Sequence, residues 1–176
     1  MQRIMIIGCC GAGKSTLARQ YHAITDLPLI HLDQCYWRPG WEETPDEEWE
    51  QTVTGLAAGD RWIIDGNYGS SLDIRLARTE MVVFLDFPTW RCVWRVLRRI
   101  VRHWGRERPD MPRGCRERFD WSFLHYVATF NLTRRPTVLK KLAALPEART
   151  VVTLRNQRAV RAFLRESREK WVGTTQ

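Results

Sequence analysis

Gly8-Cys9-Cys10-Gly11-Ala12-Gly13-Lys14-Ser15 is the stretch that decides how this chain folds. It matches G-x-x-x-x-G-K-[ST], with an apolar run at residues 4–7 before it and residues 15–22, free of Gly and Pro, after it. Strand, glycine-rich turn and helix in that order make a loop whose backbone N–H groups converge on an anion. The helix N-terminus adds positive potential, the lysine reaches the outer phosphates, and the hydroxyl ligates magnesium. The motif therefore implies that ATP and magnesium are held by Gly8, Cys9, Cys10, Gly11, Ala12, Gly13, Lys14, Ser15 and Thr16, with Lys14 acting in catalysis and Ser15 on the metal.

Four further apolar runs, at residues 29–32, 62–64, 81–85 and 150–154, read as buried strands separated by helical patterns. Such alternation predicts an α/β fold, a three-layer α/β/α arrangement with a five-stranded parallel sheet. Thr44-Pro45-Asp46-Glu47 has the form of a capping box, and Trp49, Val53 and Leu56 follow it at helical spacing, which predicts a helix over residues 45–58. In residues 89–104, Trp90, Val93, Trp94, Leu97, Val101 and Trp104 form an apolar stripe, with Arg91, Arg95, Arg98, Arg99 and Arg102 on the remainder. Residues 105–120 contain Pro109, Pro112, Gly114 and five arginines without periodicity, and read as a mobile loop. Asp120 is placed to cap a helix running to residue 130, Pro136 to start another, and Asn156 to cap a last one with Val160, Phe163 and Leu164 inward.

A chain of 176 residues that is 44% hydrophobic can bury one good core, so residues 1–176 are expected to form one domain. No apolar run reaches about 18 residues and no signal segment stands at the start, so a soluble cytoplasmic protein without a membrane partner is expected, as a monomer or homodimer. The five cysteines fit neither a zinc site nor a disulfide framework, which points to a reducing compartment. The net charge of +8 is local: residues 91–135 hold 12 arginines against Glu107, Asp110, Glu117 and Asp120, and the rest is balanced. An arginine-dense segment suits either a triphosphate or a nucleic acid. Helix-turn-helix, zinc-finger and basic-tail signatures are missing from the sequence, so nucleic acid is the less favoured partner.

Phosphoryl transfer requires carboxylates at strand ends and cations that close over the phosphates. Asp33, Asp65 and Asp86 each follow an apolar run and stand where the crevice of a parallel sheet lies. The segments IHLDQCYWRPGW, WIIDGNY, VVFLDFP and GRERPDMPRGCRERFD, together with the phosphate loop, resemble the adenylate-kinase-related P-loop proteins called DNA topology modulation proteins of the FlaR type. The resemblance runs from residue 1 to about residue 163 and implies a P-loop NTPase fold of nucleoside/nucleotide kinase type with a short arginine-rich lid at residues 105–120. It implies Asp65 on the metal, Arg95 and Arg99 as phosphate contacts four residues apart, and Arg116 and Arg118 as lid contacts. Asp33 sits where shikimate and gluconate kinases place the acid that orients the acceptor hydroxyl, and His31 reads as an ordinary strand residue.

The chain departs from related nucleoside monophosphate kinases at Asp65-Gly66-Asn67-Tyr68-Gly69, where those enzymes carry DGFPR and an arginine that grips the acceptor phosphate. Residues 34–50 in the acceptor-side segment 33–60 offer Tyr36, Trp37, Trp41 and Trp49 with six acids. These tryptophans suit either core packing or an aromatic acceptor wall. The expected activity is transfer of the γ-phosphoryl group of ATP to a nucleoside, nucleotide or polyol-like small molecule. The alternative is an ATP-binding, nucleic-acid-associated regulator.

Overall fold

The computed structural model describes residues 1–172. Strand β1 (Arg3–Gly8) is followed by helix α1 (Lys14–Thr25), strand β2 (Leu29–His31), the short helix α2 (Leu32–Tyr36) and a small hairpin of β3 (Trp37–Arg38) and β4 (Glu42–Glu43). Next come α3 (Asp46–Ala58), β5 (Trp62–Asp65), α4 (Leu72–Arg78), β6 (Met81–Leu85) and α5 (Thr89–His103). Helices α6 (Trp121–Thr133) and α7 (Arg135–Ala143), strand β7 (Thr150–Leu154) and helix α8 (Gln157–Val172) complete the order. The main sheet has the parallel order β2-β5-β1-β6-β7, so all five expected strands are present.

Period-two alternation splits the core between the faces of this sheet. On β1, Ile4 and Ile6 join a cluster with Leu17 of α1, Val96 of α5, Val127 of α6 and Val160 of α8. Met5 and Ile7 face the other way, toward Val53 of α3, Leu72 and Leu76 of α4 and Leu142 of α7. The result is the expected α/β/α sandwich, with every strand of the main sheet pointing its carboxyl end toward one rim.

Two local expectations fail for identifiable reasons. Thr44 forms no capping box: Pro45 is the N-cap residue, and the buried Thr44 hydroxyl donates to the Tyr36 carbonyl across the hairpin instead. On α5 the inward line is Cys92, Val96 and Ile100, while Trp90, Trp94, Val101 and Trp104 of the expected stripe are exposed. Both lines have helical spacing, so periodicity alone could not choose between them. Asp120 does cap α6 by accepting from Phe123 N at 2.9 Å, and Asn156 caps α8 by accepting from Ala159 N at 2.9 Å.

Arg75 of α4 is fully buried and is paired with no acid among the described residues; besides backbone carbonyls it meets the Met5 sulfur at 3.7 Å. Its guanidinium donates to the carbonyls of Gly66 at 2.9 Å, Asn67 at 2.7 Å, Tyr68 at 2.8 Å and Ser71 at 3.2 Å, so it holds the loop that leaves β5. Burial pulls its pKa down to about 10, which leaves it charged at neutral pH. Replacing Arg75 by Ala would orphan these acceptors and open a cavity. Arg75→Ala is expected to lower unfolding free energy by about 3 kcal/mol or more, checked by urea denaturation.

Candidate functional site

The phosphate loop has the conformation its sequence requires. Gly8 and Gly11 have φ values of 143° and 83°, and a Cβ on Gly11 would lie 2.4 Å from the Cys92 carbonyl oxygen, so α5 can approach only because that side chain is missing. Gly13, also at positive φ, is the N-cap of α1. Lys14 folds back over the loop and donates to the Cys9 carbonyl at 3.3 Å. Burial works to lower the Lys14 pKa, but Cys10, Asp65 and Asp33 together outweigh it and the net direction is upward. Burial likewise pushes the Cys10 thiol up. Cys9 lies beneath the loop in the core, against Val127 of α6.

Two cavities open above the strand ends. The smaller, about 560 Å³, is walled by Gly11 to Thr16 of the loop together with Arg95, Arg99 and Arg108. The larger, about 770 Å³, is walled by Trp37, Trp41, Asn67, Tyr68 and Tyr126, with Arg134 and Lys141 among its outer residues. They share six residues: Cys10, Lys14, Ser15, Asp33, Arg99 and Arg108. The two cavities therefore adjoin along these residues.

The three strand-end acids have separate surroundings. Asp65 is buried, with Oδ2 at 2.8 Å from His31 Nδ1 and Oδ1 without a hydrogen-bond partner among the described residues. An orphaned carboxylate oxygen and the Ser15 hydroxyl line the same larger cavity, and oxygen donors of this kind suit a hard divalent cation such as magnesium. His31 is thus an orienting partner of Asp65, paired with it across the β2–β5 ladder. Asp33, at the start of α2, accepts from the Tyr68 hydroxyl at 2.6 Å. Burial raises its pKa, while the Tyr68 hydrogen bond and Lys14 act in the opposite direction. Asp86 is occupied by Arg135, at 2.6 and 2.8 Å to its two oxygens, and lines neither cavity.

The arginines divide differently from the sequence expectation. Arg95 and Arg99 share a face of α5, as their spacing requires; Arg95 donates to the Ala12 carbonyl at 3.0 Å and Arg99 lies over the Phe123 ring. Arg116 is exposed and lines neither cavity, since its segment turns its carbonyl to Trp41 Nε1 at 2.9 Å. Arg118 stacks over Trp41 and belongs to the larger cavity, away from the phosphate loop. Arg108, absent from the sequence candidates, reaches both cavities. The loop is also more tightly docked than its Gly and Pro content suggests: Met111, Cys115 and Glu117 are buried, and Gln34 Nε2 donates to the Pro109 carbonyl at 2.8 Å.

Glu117 holds this arrangement together. Its Oε1 accepts from Arg99 Nε at 3.0 Å, and its Oε2 lies 2.7 Å from Arg108 Nε, a close ion pair at an angle that makes no hydrogen bond. Nothing in its sequence context marked Glu117. Trp49 resolves to the core, packed on Tyr36 and Tyr68, whereas Trp37 and Trp41 face the larger cavity.

No protein-family model and no curated protein sequence matches this chain. Solved structures do. The chain is similar to the shikimate kinase of Acinetobacter baumannii in complex with shikimate, at TM-score 0.59 and 16% identity over 99% of this chain and 94% of that one. It is similar to the deoxyadenosine kinase of M. mycoides with bound dATP, at TM-score 0.53 and 12% identity over 94% and 98% of the two chains. A gluconokinase of Sinorhizobium meliloti 1021 matches at TM-score 0.51 and 16% identity over 98% and 93%. The chain has the P-loop kinase fold. At these identities the likeness reaches no further than the fold.

Glu117→Gln would leave two arginines with a weakened anchor. Losing charge-assisted contacts worth about 1.5–3 kcal/mol should raise the opened population of residues 105–120 by about ten- to a hundred-fold. Limited proteolysis with mass mapping would read this as faster cutting in that segment.

Proposed function

We propose that this protein is an ATP- and magnesium-dependent phosphotransferase that passes the γ-phosphoryl group to a hydroxyl of a nucleoside, nucleotide or polyol-like small molecule. The observation that carries this reading is the shared wall of the two cavities, where Lys14, Ser15, Asp33, Arg99 and Arg108 stand between the phosphate loop and an aromatic chamber. A triphosphate in the smaller cavity and an acceptor in the larger would bring the terminal phosphorus and the acceptor oxygen together there.

The residues assign themselves roles on that basis. Asp33 takes the proton from the acceptor hydroxyl as its oxygen bonds to the γ-phosphorus, and the bond to the β-phosphate oxygen breaks to leave ADP. Tyr68, whose own pKa is raised first by burial and then by Asp33, stays protonated and keeps Asp33 oriented. Lys14, Arg99 and Arg108 neutralise charge on the transferred group. Ser15 and Asp65 would hold magnesium, which supplies charge neutralisation at the outer phosphates when bound. Trp37 and Trp41 offer faces for a ring-bearing acceptor, and Arg118 over Trp41 closes that wall. Residues 105–120 serve as the lid.

The basic segment left two partners open in the sequence, and its placement bears on the choice. Arg95, Arg99 and Arg108 turn inward to the cavities, which supports phosphate clamping over nucleic-acid contact. The FlaR-type resemblance agrees with a kinase-related chain and names no acceptor.

Lys14→Ala should lower turnover by about a hundred- to a thousand-fold without changing the unfolding midpoint, since its charge acts on the transition state. Retention of full ADP release in an acceptor screen would sink the phosphate-loop assignment. The second test uses pH. An ionised Asp33 is required, and its raised pKa puts the acid limb of transfer above the range of an ordinary aspartate, with rate lost as pH falls through it. Tyr68→Phe removes a hydrogen bond that favours the carboxylate, so the limb should move to higher pH, and Asp33→Asn should abolish transfer with ATP affinity retained. An unmoved limb in Tyr68→Phe would remove Asp33 from the role of base.

A further inference from the structure

The outer face of α5 takes no part in the site. Trp90, Trp94, Leu97, Val101 and Trp104 recur at intervals of four, three, four and three residues, which sets them on one stripe about 21 Å long. Trp90 is 70% exposed, Trp94 60%, Val101 80% and Trp104 63%. Three exposed tryptophans and a valine on one line make an apolar patch on the order of a few hundred Å², a size at which surface patches are often functional. Helix α6, packed beside α5, also exposes apolar residues, Trp121 by 72% and Leu132 by 80%.

Along α5 every formal charge is positive, and α6 carries no acid. Between Asp86 and Glu107, and again between Asp120 and Glu147, the sequence contains no acid. Arg98 and Arg102 are exposed beside the stripe, Arg106 follows it, and none of the three pairs with an acid among the described residues. The opposite side of α5 is fixed in the core through Cys92, Val96 and Ile100, so the outer stripe is presented on a rigid body.

We infer that the outer face of α5 docks on an anionic lipid bilayer, with the helix lying in the interfacial plane. Tryptophan rings suit the headgroup level, the aliphatic Leu97 and Val101 suit the acyl boundary, and the flanking arginines suit anionic headgroups. A second copy of the chain fits worse. Two such faces in contact would set the α5 arginines of one copy against those of the other, with no carboxylate on either α5. A nucleic acid would use the arginines and the tryptophan faces but would bury Val101 and Leu97 against nothing apolar. The expectation of no membrane partner rested on spanning length, and no helix among the described residues is long and apolar enough to cross a membrane. Lying on a bilayer needs a face, not a span. The inference is independent of the kinase reading.

The test is flotation of the whole protein with phosphatidylcholine vesicles, with and without phosphatidylglycerol, at low and moderate salt. Binding should be about tenfold or more stronger to the anionic vesicles and should weaken with salt. Brominated lipids should quench part of the tryptophan emission. Trp94→Ser/Val101→Ser, both at exposed positions, should lose vesicle binding while keeping the unfolding midpoint and nucleotide binding, and Arg98→Glu/Arg102→Glu should lose the anionic preference. Lys14→Ala should bind vesicles as wild type does. Absence of binding to anionic vesicles, or equal binding by the Trp94/Val101 variant, overturns the inference. So does dimerisation without lipid that the same variant abolishes, or retention of an oligonucleotide in place of vesicles.

Discussion

Three parallel strands must finish level before any site can form above them, and the hydrogen-bond register of the sheet secures this. Ile6 of β1 stands beside Asp65 of β5, and Asp65 stands beside His31 of β2, so the buried acid and its orienting imidazole arrive at the same height. On the other side Gly8 stands beside Leu85 of β6, and its missing side chain lets the phosphate loop begin against that strand's backbone. A slip of one residue would turn Asp65 into the opposite core and remove the carboxylate from the crevice. The two apolar clusters that flank β1 resist such a slip, because each residue of the strand is matched to one face.

Beyond the strand ends, order is kept by charges that point at backbone or at each other. Arg75 ties down Gly66, Asn67 and Tyr68 through their carbonyls. The loop so fixed carries Tyr68 to Asp33 and turns Asn67 Oδ1 toward Gly8 N at 3.4 Å. Tyr68 holds a positive φ of 27°, a strained value for a tyrosine, and the Arg75 clamp supplies what keeps it there. The wall of the larger cavity and the phosphate loop are thereby linked through one buried guanidinium.

Much of this was legible in the sequence because it is written in local patterns. The phosphate loop, five apolar runs and three acids behind them each occupy a few adjacent residues, and the strands and the Asp33 and Asp65 positions follow from those alone. What escaped depends on contacts between distant segments. Arg108 and Arg116 look alike in a string of arginines, and only the packing of residues 105–120 on the β3–β4 hairpin sends one inward and the other out. Glu117 gains its meaning from Arg99 and Arg108, residues 18 and 9 positions away. The inward line of α5 is not legible because both apolar lines have helical spacing, and the core took Cys92, Val96 and Ile100, residues smaller than tryptophan that let α5 approach the phosphate loop. Arg75 carries no local mark of burial at all.

The carboxylate of Glu117 changes where an entropic cost falls. Long arginine side chains lose about 2 kcal/mol of rotamer freedom when they are fixed, and free arginines would meet that loss on arrival of a polyanion. Here Arg99 and Arg108 are already aligned on a buried acid, and each guanidinium keeps further N–H groups for another partner. The loss is met during folding, so an incoming anion finds a receptor that is preorganised. With Asp110 also paired to Arg108, the two arginines and the two acids carry no net charge, which tempers attraction for anions in general.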